Sequence, residues 1–185
     1  MLYVQLHLTL PAWVHDDIDS AADYASDDAK MALAIRLSRL NIDYATGGPF
    51  GAAVFSGTHR LIGVGVNRVV PQNTSIAHAE MMAFATSQQR IQQFRLNAEG
   101  GPVSLATSSQ PCCMCYGASV WAGIDRLLIG ARADDVELLA GFDEGPLPAD
   151  WAGELEKRGI EVLRDLRREE ACTVLADYGR SGKVY

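Results

Sequence analysis

The sequence has few basic residues and no long apolar run, and each shortage excludes a class of protein. Its 16 Lys and Arg stand against 23 Asp and Glu, a formal net charge of −7. This balance argues against an extensive nucleic-acid interface, because phosphate binding requires clustered cations. No apolar run approaches the roughly 20 residues of a membrane-spanning helix, and the first residues form no basic leader. We therefore expect a cytoplasmic protein without a membrane segment.

Cysteine is also scarce, and its distribution is uneven. Of four cysteines, three are Cys112, Cys113 and Cys115. A secreted disulfide framework uses cysteines spaced along the chain, so this cluster indicates a metal site in a reducing compartment. The length of 185 residues and the 48% hydrophobic content predict a single domain over 1–185. Within it, 1–20 is predicted to be an N-terminal arm or strand, and 165–185 a C-terminal helix and tail.

The residues with the clearest chemical meaning are His78-Ala79-Glu80 and the later segment Pro111-Cys112-Cys113-Met114-Cys115. His78, Cys112 and Cys115 can bind zinc and leave the fourth position of a tetrahedral ion open, as in catalytic sites. Zinc lowers the pKa of water in that position from about 15.7 to roughly 7. We therefore expect one Zn²⁺ per subunit, with a water or hydroxide as fourth ligand. Glu80 is not needed as a ligand and can move the proton of that water.

The spacing of these residues predicts how the helices present them. Cys112 and Cys115 are three positions apart and share a face of a helix, for which Pro111 is a suitable first residue. His78 and Glu80 are two apart and converge only if His78 stands at a helix entrance, before the backbone becomes helical. Loop-forming residues in 71–75 and apolar helix formers after Glu80 are compatible with that entrance.

Structural alternatives explain less of the pattern. A C-x-x-C pair alone fits a redox site or half of a structural zinc knuckle, and Cys172 could supply a fourth ligand that closes the site. Each of these readings leaves Glu80 without a purpose. The catalytic interpretation is therefore preferred.

Predicted helices and strands alternate along most of the chain. The alternating residues 2–10 suggest a short strand or an extended arm. The alternation predicts an α/β fold, a three-layer α/β/α domain with a central mixed five-stranded sheet, whose first two strands are antiparallel because a short turn joins them. Helices are predicted at 27–41, 78–94, after Cys112, and at 134–139, 151–157 and 164–178; strands are predicted at 51–55, 61–66, 103–107, 126–129 and 160–163.

Several segments together resemble the cytidine deaminase-like superfamily: Gly47-Gly48-Pro49-Phe50-Gly51, Asn67, His78-Ala79-Glu80 and residues 111–115. Asn67 and the segment 140–146 make the chain most similar to bacterial guanine deaminases, over roughly residue 41 to the C-terminus. The resemblance implies zinc-dependent hydrolytic deamination of a free nucleobase, guanine to xanthine and ammonia, or of an amino-triazine such as ammeline. It also implies a homodimer.

The same resemblance assigns roles to residues. Glu80 is the expected proton shuttle, and Glu144 is expected to contact the base and help protonate the leaving amine. Each role also has a structural alternative: Asp143 and Glu144 could be solvated loop acids, Asn67 a turn asparagine, and Phe50 and Trp121 core aromatics. Trp121 can contact the base only if the helix after Cys112 ends near the pocket. The expected substrate contacts are Asn67, Phe50, Ala79, Trp121, Phe142, Asp143 and Tyr185, the last in a tail that folds over the active site in some relatives.

One departure and several competing functions accompany the resemblance. Gln110 stands where these deaminases usually have glutamate. An amide lacks the charge that a carboxylate would place near the zinc ligands, so retention of zinc is the property that we expect this change to affect. A tRNA adenosine deaminase shares the zinc motif, but the negative charge and the loop 142–146 argue against it. The same loop disfavours a cytosine or cytidine deaminase. Arg164, Arg167 and Arg168 alternate with acids and are expected on a solvated helix face. A non-catalytic zinc- or RNA-binding domain would not need Glu80.

Overall fold

A mixed five-stranded sheet forms the centre of the computed structural model, which describes residues 2, 5–57, 59–98 and 101–182. The strand order is β2-β1-β3-β4-β5; β1 is antiparallel to β2 and β3, whereas β3, β4 and β5 are parallel. The predicted mixed sheet and its antiparallel first pair are confirmed. The strands are β1 (Gly51–Phe55), β2 (Leu61–Val66), β3 (Ser104–Ser109), β4 (Arg126–Ala131) and β5 (Glu161–Leu163).

Helices cover both faces of this sheet, which confirms the three predicted layers. In the described part of the chain, α1, α2, α6 and α8 pack in one apolar core, and α4, α5 and α7 pack in the other. None of these helices is long and apolar enough to cross a membrane. The helices are α1 (Trp13–Asp17), α2 (Asp27–Asp43), α3 (Val69–Gln72), α4 (Ala79–Ile91), α5 (Cys113–Ala122), α6 (Ala133–Ala140), α7 (Trp151–Glu156) and α8 (Arg168–Arg180).

The interior strand β1 shows why two cores can form. Successive side chains of a strand point to opposite faces, and Ala53 and Phe55 enter the core under α2 while Ala52 and Val54 enter the core under α4. All residues of β1 are buried. A continuous apolar run is the pattern expected of a strand covered on both sides.

The glycines of β2 allow α4 to lie close to the sheet. A Cβ atom at Gly65 would be 2.0 Å from the carbonyl oxygen of Ala79, the first residue of α4. Glycine in a strand indicates either close backbone packing or a bulge, and at Gly65 the structure shows close packing. The contact also fixes where residues 78–80 stand relative to the sheet.

Two helix boundaries differ from the predictions because non-glycine residues adopt left-handed backbone angles. The last helix begins at Arg168 and not at Arg164, since Asp165 and Arg167 have φ of 67° and 49°. Both carboxylate oxygens of Asp165 accept 2.7 Å hydrogen bonds from Arg132, a tertiary contact that opposes local helix formation. In the same way α4 ends at Ile91 and not at residue 94, because Gln92 has a φ of 57°.

The N-terminal region also departs from the predictions. The described residues 2 and 5–10 belong to no strand, and α1 was not predicted. The N–H of Thr9 donates a 3.3 Å hydrogen bond to Oε1 of Gln72. The hydroxyl oxygen of Thr9 accepts a 3.1 Å hydrogen bond from Nε2 of Gln72. Gln72 belongs to α3, a short helix within the segment predicted as loop. Thr9 therefore attaches the described residues 5–10 to α3.

Candidate active site

Two helix entrances meet at the predicted metal site. His78 is the N-cap of α4 and Cys112 the N-cap of α5, and both have extended backbone angles (φ −69°, ψ 159° and φ −65°, ψ 171°). The expectation that His78 stands at a helix entrance is therefore confirmed. Pro111 precedes the cap and is not the first helical residue. Helix N-termini carry partial positive charge, which favours the thiolates that bind metal.

The geometry of the three predicted ligands fits zinc. Among the residues that the structure describes, the donor atoms of His78, Cys112 and Cys115 form one group within 4.8 Å of one another. The Cys112 sulfur lies 3.4 Å from Nδ1 of His78. Tetrahedral zinc with Zn–S of about 2.3 Å and Zn–N of about 2.0 Å requires a separation of about 3.5 Å. Cys172 belongs to α8, which covers the other face of the sheet, and it is not part of this group.

The ligands perturb one another's ionisation. The hydrogen bond from Cys115 lowers the pKa of Cys112 to about 4, and the bond to His78 adds to the effect. The same bond to Cys112, together with burial, raises the pKa of Cys115. The pKa of His78 is raised, chiefly by its bond to Cys112. A thiolate at Cys112 is thus favoured before any metal binds.

Glu80 lies in the first turn of α4 with only 5% of its surface exposed. The hydroxyl group of Thr107 donates a 3.3 Å hydrogen bond to its Oε1. Burial raises the pKa of Glu80, and the negative charge of Cys112 raises it further. A carboxyl group whose pKa is raised in this way is suited to accept a proton and pass it on.

A cavity of about 170 Å³ opens beside these groups. It is smaller than the roughly 300–1,000 Å³ of pockets for drug-sized ligands, so it suits a single heterocycle. A larger cavity of about 490 Å³ lies between α2, α3 and α8, but none of the predicted site residues lines it. The smaller cavity is therefore the candidate active site. Its lining consists of Phe50, Asn67, His78, Ala79, Glu80, Ser109, Gln110, Cys112, Phe142, Asp143 and Glu144.

Aromatic rings form one side of this cavity. Phe50 meets Phe142 edge-on with ring centroids 5.3 Å apart, and Phe142 in turn stacks on Tyr178 at 6.0 Å. Asn67 lies beside Phe50, and its Oδ1 accepts a 3.3 Å hydrogen bond from the N–H of Val69. The pair of phenylalanines and the amide together present an apolar face and a polar edge.

The loop 142–146 carries the second carboxyl group into the cavity. The carbonyl oxygen of Glu144 accepts a 2.9 Å hydrogen bond from the N–H of Cys113, which fastens the loop to the first turn of α5. Burial raises the pKa of Glu144 to about 8, and the nearby charge of Glu80 contributes. The Asp143 carboxylate accepts a 2.8 Å hydrogen bond from the N–H of Gly145 and is exposed. Asp143 therefore shapes the turn, whereas Glu144 faces the metal-binding residues.

One predicted contact does not reach the cavity, and another lies outside the described residues. Trp121 is 81% exposed and does not line it. It lies nine residues after Cys112, about 14 Å along the helix at 1.5 Å per residue, so α5 leads away from the site. Tyr185 lies outside the described residues. Ser109 and Gln110 line the cavity without having been predicted as contacts, although their position directly before Pro111 was a usable signal.

Comparison with known proteins agrees with this geometry. Residues 25–131, more than half of the chain, match the family described as the cytidine and deoxycytidylate deaminase zinc-binding region. The chain therefore belongs to this family of hydrolytic zinc deaminases. It is similar over nearly its whole length to the guanine deaminase from Nitrosomonas europaea, with 42% identity and a TM-score of 0.90, covering 97% of this chain and 99% of that one. A structure of NE0047 with 2,6-diaminopurine is 43% identical, with a TM-score of 0.92 and coverage of 98% and 96%.

More distant relatives have different substrates in their names. The tRNA-specific adenosine deaminase of Buchnera aphidicola is 32% identical over 131 residues, which is 70% of this chain and 79% of that protein. The guanine deaminase of Bacillus subtilis is 32% identical over 111 residues, 60% and 67% of the two chains. The shared zinc-binding region thus defines the reaction type, and the remaining residues must distinguish the substrate.

Proposed function

We propose that this protein hydrolyses the 2-amino group of free guanine, giving xanthine and ammonia. The observation that carries the proposal is the second carboxyl group: the loop 142–146 brings Glu144 to the cavity that contains Glu80. The likeness to a guanine deaminase over nearly the whole chain supports the same substrate. An amino-triazine such as ammeline has a comparable amino-bearing ring and is included in the proposed class.

The metal side of the cavity supplies the hydrolytic chemistry. His78, Cys112 and Cys115 would hold one Zn²⁺ per subunit. When bound, zinc would leave a fourth position for water or hydroxide and lower the pKa of that water. Glu80 accepts the proton of the attacking water and delivers it to N3 of guanine as C2 is attacked. The proton of the hydroxyl group added at C2 then passes to the 2-amino group, the C2–N bond breaks, and ammonia leaves as the C2 carbonyl forms; Glu144 helps to protonate this leaving amine.

The base side of the cavity recognises the ring. Guanine presents its N1–H and 2-amino group as adjacent donors, and Glu144 offers two acceptors once it is ionised, above its pKa of about 8. Adenine has an acceptor at N1 and would leave that carboxylate unpaired, which is how a polar site rejects the wrong base. Asn67 reads a further edge of the purine with its amide, Phe50 and Phe142 enclose the ring, and Ala79 contributes to the floor of the cavity.

A tRNA adenosine deaminase is the second candidate, because the relative from Buchnera aphidicola has that activity in its name. The three arginines considered as RNA contacts, Arg164, Arg167 and Arg168, are engaged within the protein. Arg167 pairs with Asp28 and Glu170, each at an N–O distance of 2.8–2.9 Å. Arg168 pairs with Asp135 at 2.7 Å, and the guanidinium group of Arg164 lies 5.7 Å from the ring of Trp151. The free base is therefore favoured over RNA.

A substrate panel tests the proposal. Ammonia release would be measured on guanine, ammeline, cytosine, cytidine, adenine and adenosine, and on a tRNA anticodon stem-loop. We expect turnover of guanine, and none of adenosine or the stem-loop. Turnover of cytidine or of the stem-loop without turnover of guanine would contradict the assignment.

We also propose that the protein is a homodimer that buries the outer face of α5. This helix has no charged residue, and Trp121 on its outer face is 81% exposed. A Cβ atom at Gly117 would meet nothing within 4 Å, so a second helix can approach closely there. A charge-free surface helix is the pattern of a covered helix.

Light scattering should report a dimer for the unmodified protein and a monomer for Trp121→Asp. The matched control is Leu138→Asp, which alters an 83% exposed leucine on α6 and should leave the dimer intact.

A reducing, cytoplasmic compartment is proposed for the same protein. All four cysteines are unpaired, and two of them are predicted zinc ligands. Oxidation of these thiols would remove their capacity to bind metal. Treatment with a thiol oxidant should therefore release zinc, measured with a chromogenic chelator, and reduction should restore binding.

A further inference from the structure

A buried amide lies behind the base side of the cavity without touching it. Asn41, near the end of α2, has no exposed surface and does not line the cavity. Its Nδ2 donates hydrogen bonds to the carbonyl oxygens of Gly48 at 2.8 Å and of Asn67 at 3.0 Å. Its Oδ1 accepts a 2.8 Å bond from the hydroxyl group of Thr46. Burying an amide is costly unless its groups are bonded, and here both ends of the side chain are in use.

These bonds connect the two cavity residues that face the base. The N–H of Asn67 donates to the carbonyl oxygen of Phe50 at 3.1 Å, and the N–H of Phe50 donates to that of Gly48 at 2.9 Å. The peptide groups on both sides of Asn67 are thus fixed, one by Phe50 and one by Asn41. Because the backbone is fixed on both sides, the direction of the Cα–Cβ bond of Asn67 is fixed as well, and the 3.3 Å hydrogen bond from the N–H of Val69 to its Oδ1 orients the amide.

The fit around this amide leaves little room for adjustment. A Cβ atom at Gly47 would lie 1.9 Å from the carbonyl oxygen of Asn67 and 2.7 Å from Nδ2 of Asn41. The loop therefore passes directly over the hydrogen bond between Asn41 and Asn67. Any displacement of the amide would move this loop and Asn67 together.

A second layer of contacts holds the amide in orientation. Thr46 receives a 3.0 Å hydrogen bond from Nε1 of Trp13, whose ring stacks on Tyr44 with centroids 5.6 Å apart. Trp13 belongs to α1 and precedes residues 25–131, the part of the chain that matches the deaminase family. The contacts therefore run from an N-terminal helix through Thr46 and Asn41 to Asn67.

We propose that Asn41 is a positioning residue for base recognition, and that Thr46 and Trp13 hold its amide in the orientation that this requires. Asn41 sets the location of Asn67 and Phe50 relative to the base and does not contact the substrate. The identity of the base rests on the proposed function, but the positioning role concerns whichever ring enters the cavity.

The first experiment replaces the amide and compares it with an equally buried control. Asn41→Leu removes the hydrogen bonds at similar volume, and Met31→Ala opens a fully buried site of the same helix ten residues earlier. Misplaced base contacts weaken binding of the ring without changing the reacting groups, so KM for guanine should rise by roughly 10-fold or more while kcat changes little. Zinc content should be unchanged, and Met31→Ala should lower Tm without raising KM. Equal KM values in the two variants would overturn the positioning role.

The second experiment uses milder changes and a rescue. Thr46→Val removes the hydroxyl group at constant shape, Thr46→Ser retains it, and Trp13→Phe removes the indole N–H together with part of the ring that stacks on Tyr44. KM should rise severalfold in Thr46→Val and less in Trp13→Phe, and Thr46→Ser should restore the value of the unmodified protein. If valine and serine give the same KM, the proposal is wrong even when Asn41→Leu fails to fold. If the unmodified protein does not deaminate guanine, the proposed function fails separately, and the substrate found in the panel replaces guanine in these KM measurements.

Discussion

The metal side and the base side of the cavity are built in different ways. On the metal side, His78 and Cys112 are helix N-caps, and Glu80 and Cys115 lie in the first turns of the same helices. The members of each pair are only two or three positions apart, so the local backbone at each helix entrance brings them together. On the base side the cavity residues come from separate segments of the chain. The amide that supports them, Asn41, is 26 positions away from Asn67. Local backbone geometry determines the metal side of the cavity, and tertiary contacts determine the base side.

This difference predicts how substitutions act. The metal side contains the groups that generate and transfer the proton, so a change there should remove the reaction for every substrate. The base side contains an aromatic pair, an amide and the half-buried Glu144, so a change there should alter affinity and substrate choice. The following experiments test this division.

Loss of a zinc ligand should have the largest effect. Cys115→Ala removes one of three ligands, and because enzymes of this kind accelerate their reactions at least a millionfold, we expect activity to fall by roughly 10⁴-fold or more. Elemental analysis should show loss of bound zinc. Cys172→Ser is the control, because Cys172 lies outside the ligand group, and it should keep both zinc and activity. Full zinc occupancy in Cys115→Ala would exclude the proposed ligand set.

Removal of the proton shuttle should separate metal binding from turnover. Glu80→Gln keeps the shape and the hydrogen bond acceptor for Thr107 but cannot carry a proton. Turnover should fall by about 10²–10⁴-fold, the usual contribution of general acid–base catalysis, while zinc content stays constant. Glu137→Gln, on the exposed surface of α6, should be indistinguishable from the unmodified protein. Retained turnover in Glu80→Gln would assign the proton transfer to another group.

The sequence predicts the metal side well because its information is local. Residue spacing and helix-start signals are sufficient to place His78 at the entrance of a helix and Cys112 beside Cys115. The apolar pattern likewise predicts the strands of the sheet, since strands covered on both faces are nearly continuous apolar runs. These features depend on residues a few positions apart.

The features that sequence reasoning missed depend on distant partners. Asn41 looks like an ordinary polar residue near a helix end, and its importance lies in Gly48 and Asn67, which are 7 and 26 residues away. The left-handed backbone of Asp165 depends on Arg132, 33 residues earlier. For Trp121, family resemblance suggested a pocket contact, but the direction of α5 carries its side chain away from the cavity of its own chain.

On the base side, Glu144 should matter for selectivity more than for the reaction itself. Glu144→Gln retains the size but offers one acceptor in place of two. Because a hydrogen bond to a charged group contributes about 1.5–3 kcal/mol, kcat/KM for guanine should fall by roughly 10–100-fold. Zinc content should not change. The comparison with Glu80→Gln is decisive: if both variants lose turnover equally on every active substrate, the division between the two sides of the cavity does not hold.

The smallest expected effect distinguishes the two neighbouring acids of the loop. The Asp143 carboxylate accepts a hydrogen bond from the N–H of Gly145, and an asparagine can accept the same bond through its Oδ1, whereas alanine cannot. If Asp143 only shapes the turn, Asp143→Asn should stay within about twofold of the unmodified kcat/KM, and Asp143→Ala should fall by roughly 2–10-fold, the value of one net hydrogen bond. If Asp143 instead contacts the base with its charge, the asparagine variant should lose as much as the alanine variant. Steady-state kinetics on guanine separates these results, and equal losses would transfer the role of base contact from Glu144 towards Asp143.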